Sequence, residues 1–416
     1  MRFRILWCSL VAVLVACMAA VSAAQTAYPA GQVGLTDVLR LAIERRAEIA
    51  AARARARAAE ARPEMVGALE DPMVSASIDH LPFTFEGADV SFAVEQRFPL
   101  SGIRGHRRAA ARADVDRFRA DVARAALDVR LEAAAAFLML QERRRTFVLL
   151  QTQLASARDV VTAASARYAA ATAPQSDVLI AEVEVARLMA QASSLAGEIR
   201  AAEAMLNASL ALDPSTPVPP LASAPADAGA AWADSSAQLA SRPELEAARA
   251  AVRRADAEIA VMKDMFRPMA TVRAGPAYTM AEGNGLMVMV GVSIPLRRSA
   301  LRAGVAEAEA MRAMASADLV AMTRMFEGEA AAARHGVDAA RSRYAALRDD
   351  VLPRARAAIG PTLAGYAAGQ LPLTSLLAAV QSVWQIEGDV IDAELRLGLA
   401  ALRLGRALGS IEGAGR

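Results

Sequence analysis

The chain has 416 residues, is 55% hydrophobic but only 4% aromatic, and carries a net charge of +2. A near-neutral balance with no run of like charge argues against a nucleic-acid binder, which needs a basic face. Lys263 is the only lysine, and both cysteines, Cys8 and Cys17, lie near the start, so the remainder can form no disulfide.

Arg2 and Arg4 precede an apolar run from Ile5 to Ala16, and small residues follow at Val21-Ser22-Ala23-Ala24. This order predicts a secretion signal over residues 1–24. A second reading competes with it. Leu14-Val15-Ala16-Cys17 resembles a lipoprotein box, which would remove residues 1–16 and place lipid on Cys17. The apolar run is too short to span a bilayer as a helix, and charges interrupt every later one.

A helix is expected from Leu35 to about Ala68, capped by Thr36 and kinked or broken at Pro63. The segment from Pro72 to Pro99 then changes period. Val74, Ala76 and Ile78 share one face, as do Val90, Phe92 and Val94, with Ser75, Ser77, Ser91 and Glu95 opposite. A period of two predicts strands, and the pair reads as a hairpin connected between Phe83 and Asp89. Strands of this length suit either a sheet on a soluble core or a tilted crossing of a bilayer.

From about Gly105 to Ala171 the pattern is helical. Val115, Phe118, Val122, Ala125 and Val129 follow the seam spacing of a coiled coil. At 1.5 Å per residue this is roughly 100 Å of helix, one piece or two. The break Ala171-Thr172-Ala173-Pro174 follows, then a helix from Ser176 to about Leu212, and a Pro/Ala/Ser-rich linker over 213–234.

The second half repeats this plan. Pro268 and Pro295 stand 196 residues after Pro72 and Pro99, and Glu244 stands 196 after Glu48. The repeats are read as 35–212 and 235–409, with 410–416 a disordered tail. In the hairpin 268–295, Leu286, Val288, Val290, Val292 and Ile294 share one face, and Ala281 to Gly285 is expected to form the connection. Pro99 and Pro295 are expected to end strands at strand–helix junctions. Helices are expected from Ser299 to Asp350, from Pro353 to Ala368 and from Thr374 to Leu408. The break at Gly369 to Pro372 answers the first, with Tyr366 and Pro372 standing 198 residues after Tyr168 and Pro174.

The fold class is therefore mainly α with a small β part. If the four strands lie in lipid they cannot close alone, because open sheet edges are not tolerated there. Barrels of the outer-membrane type begin at about eight strands, so several chains would have to share one barrel, and three copies would supply twelve strands.

Order, spacing and duplication together resemble the outer-membrane efflux (TolC-like) family over essentially the whole chain. The resemblance rests on the Leu35-Thr36 helix start, on Glu48 and Glu244, and on the hairpins ending Phe98-Pro99-Leu100 and Ile294-Pro295-Leu296. It also rests on the two breaks, Tyr168 to Leu179 and Tyr366 to Leu377. Asp71-Pro72-Met73 and Glu95-Gln96-Arg97-Phe98-Pro99-Leu100 are similar to the heavy-metal branch, the CzcC- and CusC-like channels.

The resemblance implies a homotrimer with a shared transmembrane β-barrel in the bacterial outer membrane and a long periplasmic α-barrel. Its implied partners are outer-membrane lipid, a periplasmic adaptor and an inner-membrane pump. The implied function is a passive channel of a tripartite efflux system exporting metal cations, without a cofactor and without enzyme activity. Drug or protein export is the alternative within the family, and a periplasmic coiled-coil adaptor the alternative outside it.

The family places its closing tips at the two breaks, which assigns the aperture to Tyr168, Pro174, Asp177, Tyr366, Gly369, Pro372 and Ser375. The family often carries aspartates there. Asp177 matches, whereas Ser375 replaces an Asp and Ala171 a Gly. Asp177 also reads simply as a first-turn acid favoured at a helix N-terminus. Met269, Met280, Met287 and Met289 read as strand filling rather than soft-metal ligands. His80, His106 and His335 have no ligand spacing. Asp79, Glu95 and Arg273 are expected in a watery lumen, and Phe83, Phe85, Phe92, Phe98 and Tyr278 in interfacial girdles.

Overall fold

The computed structural model describes residues 28–29, 31–78, 88–223 and 235–411. The signal over 1–24, Cys17, the second part of the linker and the end of the tail lie outside them. So do Asp79, His80, Phe83 and Phe85.

Helix α1 spans Leu35–Arg45 and α2 spans Ala47–Gly67. Gly34 is the N-cap of α1 and its N–H donates to Asp37 Oδ2 at 3.3 Å, so the cap is not Thr36, which already lies in the first turn. The expected break at Pro63 is absent, and Pro63 lies inside α2. There it forfeits one hydrogen bond near the end of the helix. The break falls at Arg46, which is extended (ψ 126°). Its guanidinium donates to Glu132 and to the Ser209 carbonyl, at 3.0–3.3 Å. Contacts with residues far along the chain thus outweigh local helix preference. Helices α5 (Ser235–Ala240) and α6 (Pro243–Asp264) part in the same way at Arg242, also extended and 196 residues after Arg46.

Helix α3 spans Ile103–Ala169 as one uninterrupted element of 67 residues. Along its seam Val115 and Val129 are buried, and Phe118, Val122 and Ala125 half-buried. Helix α4 spans Gln175–Ser209, α7 Arg298–Ala345, α8 Leu352–Ala367 and α9 Leu373–Leu408. Pro353 lies in the first turn of α8 as expected, but no break precedes it. A π-helical turn, Ala346–Val351, carries α7 directly into α8. A wider turn of this kind accommodates a residue that cannot donate its own backbone hydrogen bond.

The strands are β1 (Met73–Ile78), β2 (Val90–Pro99), β3 (Met269–Thr279) and β4 (Gly283–Ser293). They form one antiparallel sheet in the order β1-β2-β3-β4, so the two sequence-distant hairpins are joined through β2 and β3. The β3–β4 connection is Met280–Glu282, shorter than the expected 281–285, and Gly283 follows it with φ +78°. A three-residue loop closed by a left-handed glycine is a favoured hairpin connection. Gly275 stands at a close approach of β3 to β2. A Cβ there would collide with the Phe92 carbonyl oxygen and pass 2.8 Å from Ala93 Cα.

The chain folds as two compact units. One holds the chain up to Ala47 with Ala126–Ser235 and Glu329–Arg416; the other holds Glu48–Ala125 and Ser236–Gly328. Each draws on both halves of the sequence. In the first unit, residues 213–223 are held against α3. Arg144 donates to the Val218 and Pro219 carbonyls, Gln141 donates to Ala222, and Val33 pairs with Leu221. Asn207 is fully buried and satisfied, accepting from the Tyr28 hydroxyl at 2.6 Å and donating to Pro214 and Thr216. Burial pushes the Tyr28 phenol up to about 12. The second unit holds the sheet and the helices that continue from its strands.

Candidate functional site: an uncovered apolar sheet and paired helical tips

The sheet has two unlike faces. One carries Val74, Ile78, Val90, Phe92, Val94, Val272, Tyr278, Leu286, Val288, Val290 and Val292, and all of these are exposed. Register lines them up across strands: Val74 faces Val94, Val94 faces Ala274, and Ala274 faces Val288. Leu286 is 76% exposed and Val290 69%. A sheet of a water-soluble domain buries this face. Here no described segment covers it, and the patch far exceeds the scattered apolar residues normal on a surface.

The opposite face is mostly small and polar, with Met73, Met287 and Met289 its large apolar side chains. Ser91 and Ala93 are buried, Ser77 Oγ lies 2.6 Å from Ser91 Oγ, and Arg273 donates to Ser75 Oγ at 3.2 Å. Glu95 and Arg273 lie directly opposite each other on this face, with Met73 and Met289 flanking them. The apolar and polar sides are thus inverted relative to a soluble sandwich. Strands β1 and β4 each leave one edge unpaired among the described residues. Unpaired backbone groups in an apolar medium cost several kcal/mol each, so such edges call for partner strands.

Pro99 is the last residue of β2, opposite Met269, and Pro295 lies between the end of β4 and the start of α7. Phe92, Phe98 and Tyr278 are all exposed on the apolar side. His106 lies 3.7 Å from Asp264, and His335 sits on α7. Among the described residues no cluster of three or more His, Cys, Asp or Glu side chains could hold a metal ion. No described helix is long and apolar enough to cross a membrane.

The second feature is the pair of tips in the first unit. The α3–α4 turn bends at Ala171 (φ +54°) and the α8–α9 turn at Gly369 (φ +75°). Pro174 and Pro372 cap the returning helices with nearly identical extended backbones, ψ 156° and 158°. Asp177 and Ser375, both half-buried, occupy equivalent places in the first turns of α4 and α9. Their N–H groups donate to the Pro174 and Pro372 carbonyls. A left-handed backbone at Ala171 costs about 1 kcal/mol that the glycine at 369 avoids.

The equivalent tyrosines differ. Tyr168 is 49% exposed, whereas Tyr366 is 2% exposed and packs with Val160, Ala181, Leu373, Leu376 and Leu377. Arg167 makes the difference. Its guanidinium lies over the Tyr366 ring at 4.5 Å, donates to the Tyr366 carbonyl, and donates to the Thr172 carbonyl at 3.1 Å. Burial raises the Tyr366 phenol above its ordinary pKa, against the pull of Arg167 and with a small push from Asp177. Behind the tips, Glu184 accepts from Arg187 and from Gln381 Nε2 at 3.0 Å, tying α4 to α9. Sequence reasoning assigned Arg167 no role. The signal available was its repeat partner 198 residues on, Gly365, which cannot supply the same contact.

The chain is similar in structure to three solved outer-membrane proteins. It matches the outer-membrane channel OprN with a TM-score of 0.75 and 18% identity over 90% of each chain. It matches the outer membrane protein VceC of Vibrio cholerae with a TM-score of 0.75 and 18% identity, over 90% of this chain and 96% of that one. It matches CusC, described for its transmembrane channel formation, with a TM-score of 0.77 and 15% identity, over 90% and 92%. No family model and no curated protein matches the sequence. At these identities the likeness is one of fold: long helices with a small antiparallel sheet.

Proposed function

We propose that this protein is the outer-membrane channel of a tripartite efflux system. The observation that carries the reading is the apolar face of the sheet, uncovered among the described residues, together with the one unpaired edge that β1 and β4 each leave there. Lipid suits that face, and strands from further copies suit the edges. Three copies of the four-stranded sheet give a closed barrel of twelve strands, within the range of outer-membrane barrels. The long helices would then line a periplasmic passage, and the two sequence repeats would give each subunit its internal pseudo-symmetry.

On this reading the chain is a passive conduit. A periplasmic adaptor and an inner-membrane pump supply coupling and energy, and the chain itself carries no catalytic step. Tyr168, Pro174, Asp177, Tyr366, Gly369, Pro372 and Ser375 form the periplasmic aperture, and Pro99 and Pro295 mark the membrane boundary. The start directs secretion, by cleavage after the 1–24 signal or by lipid on Cys17. We assign metal cations as the cargo, because the Asp71-Pro72-Met73 and Glu95 to Leu100 segments are similar to the heavy-metal branch.

Native mass spectrometry of the detergent-extracted outer-membrane fraction tests the assembly. A trimer is expected, and its subunit mass reports the state of Cys17. A soluble periplasmic monomer would overturn the reading in favour of an adaptor. Metal sensitivity on deletion of the gene, without drug sensitivity, is the expected result for the cargo.

A further inference from the structure

Where the sheet passes into the helices of the second unit, a cavity of about 200 Å³ opens. It lies at the ends of β2 and β3 and at the start of α3. Arg97, Arg104, Arg107 and Arg267 line it, against only two carboxylates, Glu70 and Asp264. Arg97 alternates with the polar face of the sheet, in step with Glu95 and Pro99, so it stands on the side opposite the apolar face.

The carboxylates do not saturate the guanidiniums. Arg267 Nε lies 3.5 Å from Asp264 Oδ1, and Arg97 Nε lies 3.5 Å from Glu95. Arg104 spends Nε on the Gly67 carbonyl at 2.8 Å, and Arg107 makes no ion pair among the described residues. Each guanidinium has five N–H donors, so most of this donor capacity is unspent. The first residue of α3, Ile103, also lines the cavity and brings the positive end of a 67-residue helix to it. An adjoining cavity of about 490 Å³ differs in its lining, which holds Arg62, Arg107 and Arg254 and equally Asp114, Glu258 and Glu307.

We infer that this cavity is a binding site for an oxyanion-sized group: a phosphate, sulfate or carboxylate. Arginine forks match such groups geometrically, and a recess with an excess of one sign of charge concentrates ions of the other. Resting on the channel reading, the site also sets selectivity, since its copies in a trimer would ring the passage.

The test uses the full-length purified protein and inorganic phosphate. Titration calorimetry is expected to give saturable binding that Arg97→Gln with Arg267→Gln abolishes. Both side chains are more than half exposed, so the double variant is expected to retain its melting temperature. No phosphate binding by the natural chain, or undiminished binding by the double variant, would overturn the site. In planar bilayers under a potassium chloride gradient, the natural channel is expected to pass chloride in preference to potassium, and the double variant to lose that preference. Potassium preference in the natural channel would overturn the selectivity role. Phosphate binding without any conductance would support the site while removing the channel reading.

Discussion

The Arg167 guanidinium sits over the Tyr366 ring at 4.5 Å and donates to the Tyr366 carbonyl, joining two tips 199 residues apart in the chain. It also donates to Thr172 of its own turn. A charge-assisted bond to a backbone carbonyl contributes about 1.5–3 kcal/mol, and a partly exposed cation–π contact about 0.5–1 kcal/mol. Arg167→Ala is therefore expected to lower amide-exchange protection at residues 166–172 and 365–371 by roughly tenfold or more, with little effect on global stability. Hydrogen-exchange mass spectrometry checks this. Unchanged protection at 365–371 would show that hydrophobic burial of Tyr366 alone holds the tips together.

The two faces of the sheet should answer differently to charge. Val290→Arg puts a guanidinium in the middle of the apolar face, where lipid would make it cost about 2–4 kcal/mol. It is expected to reduce the heat-resistant, membrane-assembled form sharply. Ser293→Arg, on the polar face and exposed, is expected to assemble normally. Ser91 is not a suitable control, because it is buried and bonded to Ser77. Equal assembly of the two variants would count against a lipid-facing sheet.

Arg242 is 2% exposed, 3.2 Å from Glu244, and stacked 3.7 Å from the centre of the Phe326 ring. Removing one partner of a buried ion pair typically costs about 3–5 kcal/mol, because the other charge stays buried. Arg242→Ala is expected to lower the denaturation midpoint substantially. Arg242→Lys is expected to recover only part, since an ammonium keeps the charge but loses the planar stacking.

Glu184 is buried and held below the ordinary carboxylate range, first by its hydrogen bond from Arg187, with Gln381 contributing less. A depressed folded-state pKa contributes stability above the unfolded value, about 4.3 for Glu, and that stability is lost as pH falls through the folded value. Acid is therefore expected to loosen the α4–α9 contact below about pH 4. Glu184→Gln, which cannot titrate, is expected to flatten this part of the stability–pH profile. An identical acid limb in both proteins would assign the loss to other carboxylates.

The repeated Pro-bounded hairpins, the coiled-coil seam spacing within α3 and the breaks before Pro174 and Pro372 were all legible in the sequence, whereas the continuity of α3 as one helix was left open there. Alternation, seam spacing and proline chemistry are local, so a few consecutive residues suffice to specify them. The breaks at Arg46 and Arg242 were not legible, nor was the π-helical turn that joins α7 to α8 without a break before Pro353. Arg46 leaves the helix for Glu132 and Ser209, which no local propensity reveals. The same limit explains the tips: two near-identical turns were readable, but not that Tyr366 is buried under Arg167 while Tyr168 is exposed. By itself the sequence determined that the strands have one apolar and one polar face. Only the tertiary structure decided that the apolar face is the uncovered one, because what covers a sheet depends on where distant segments pack.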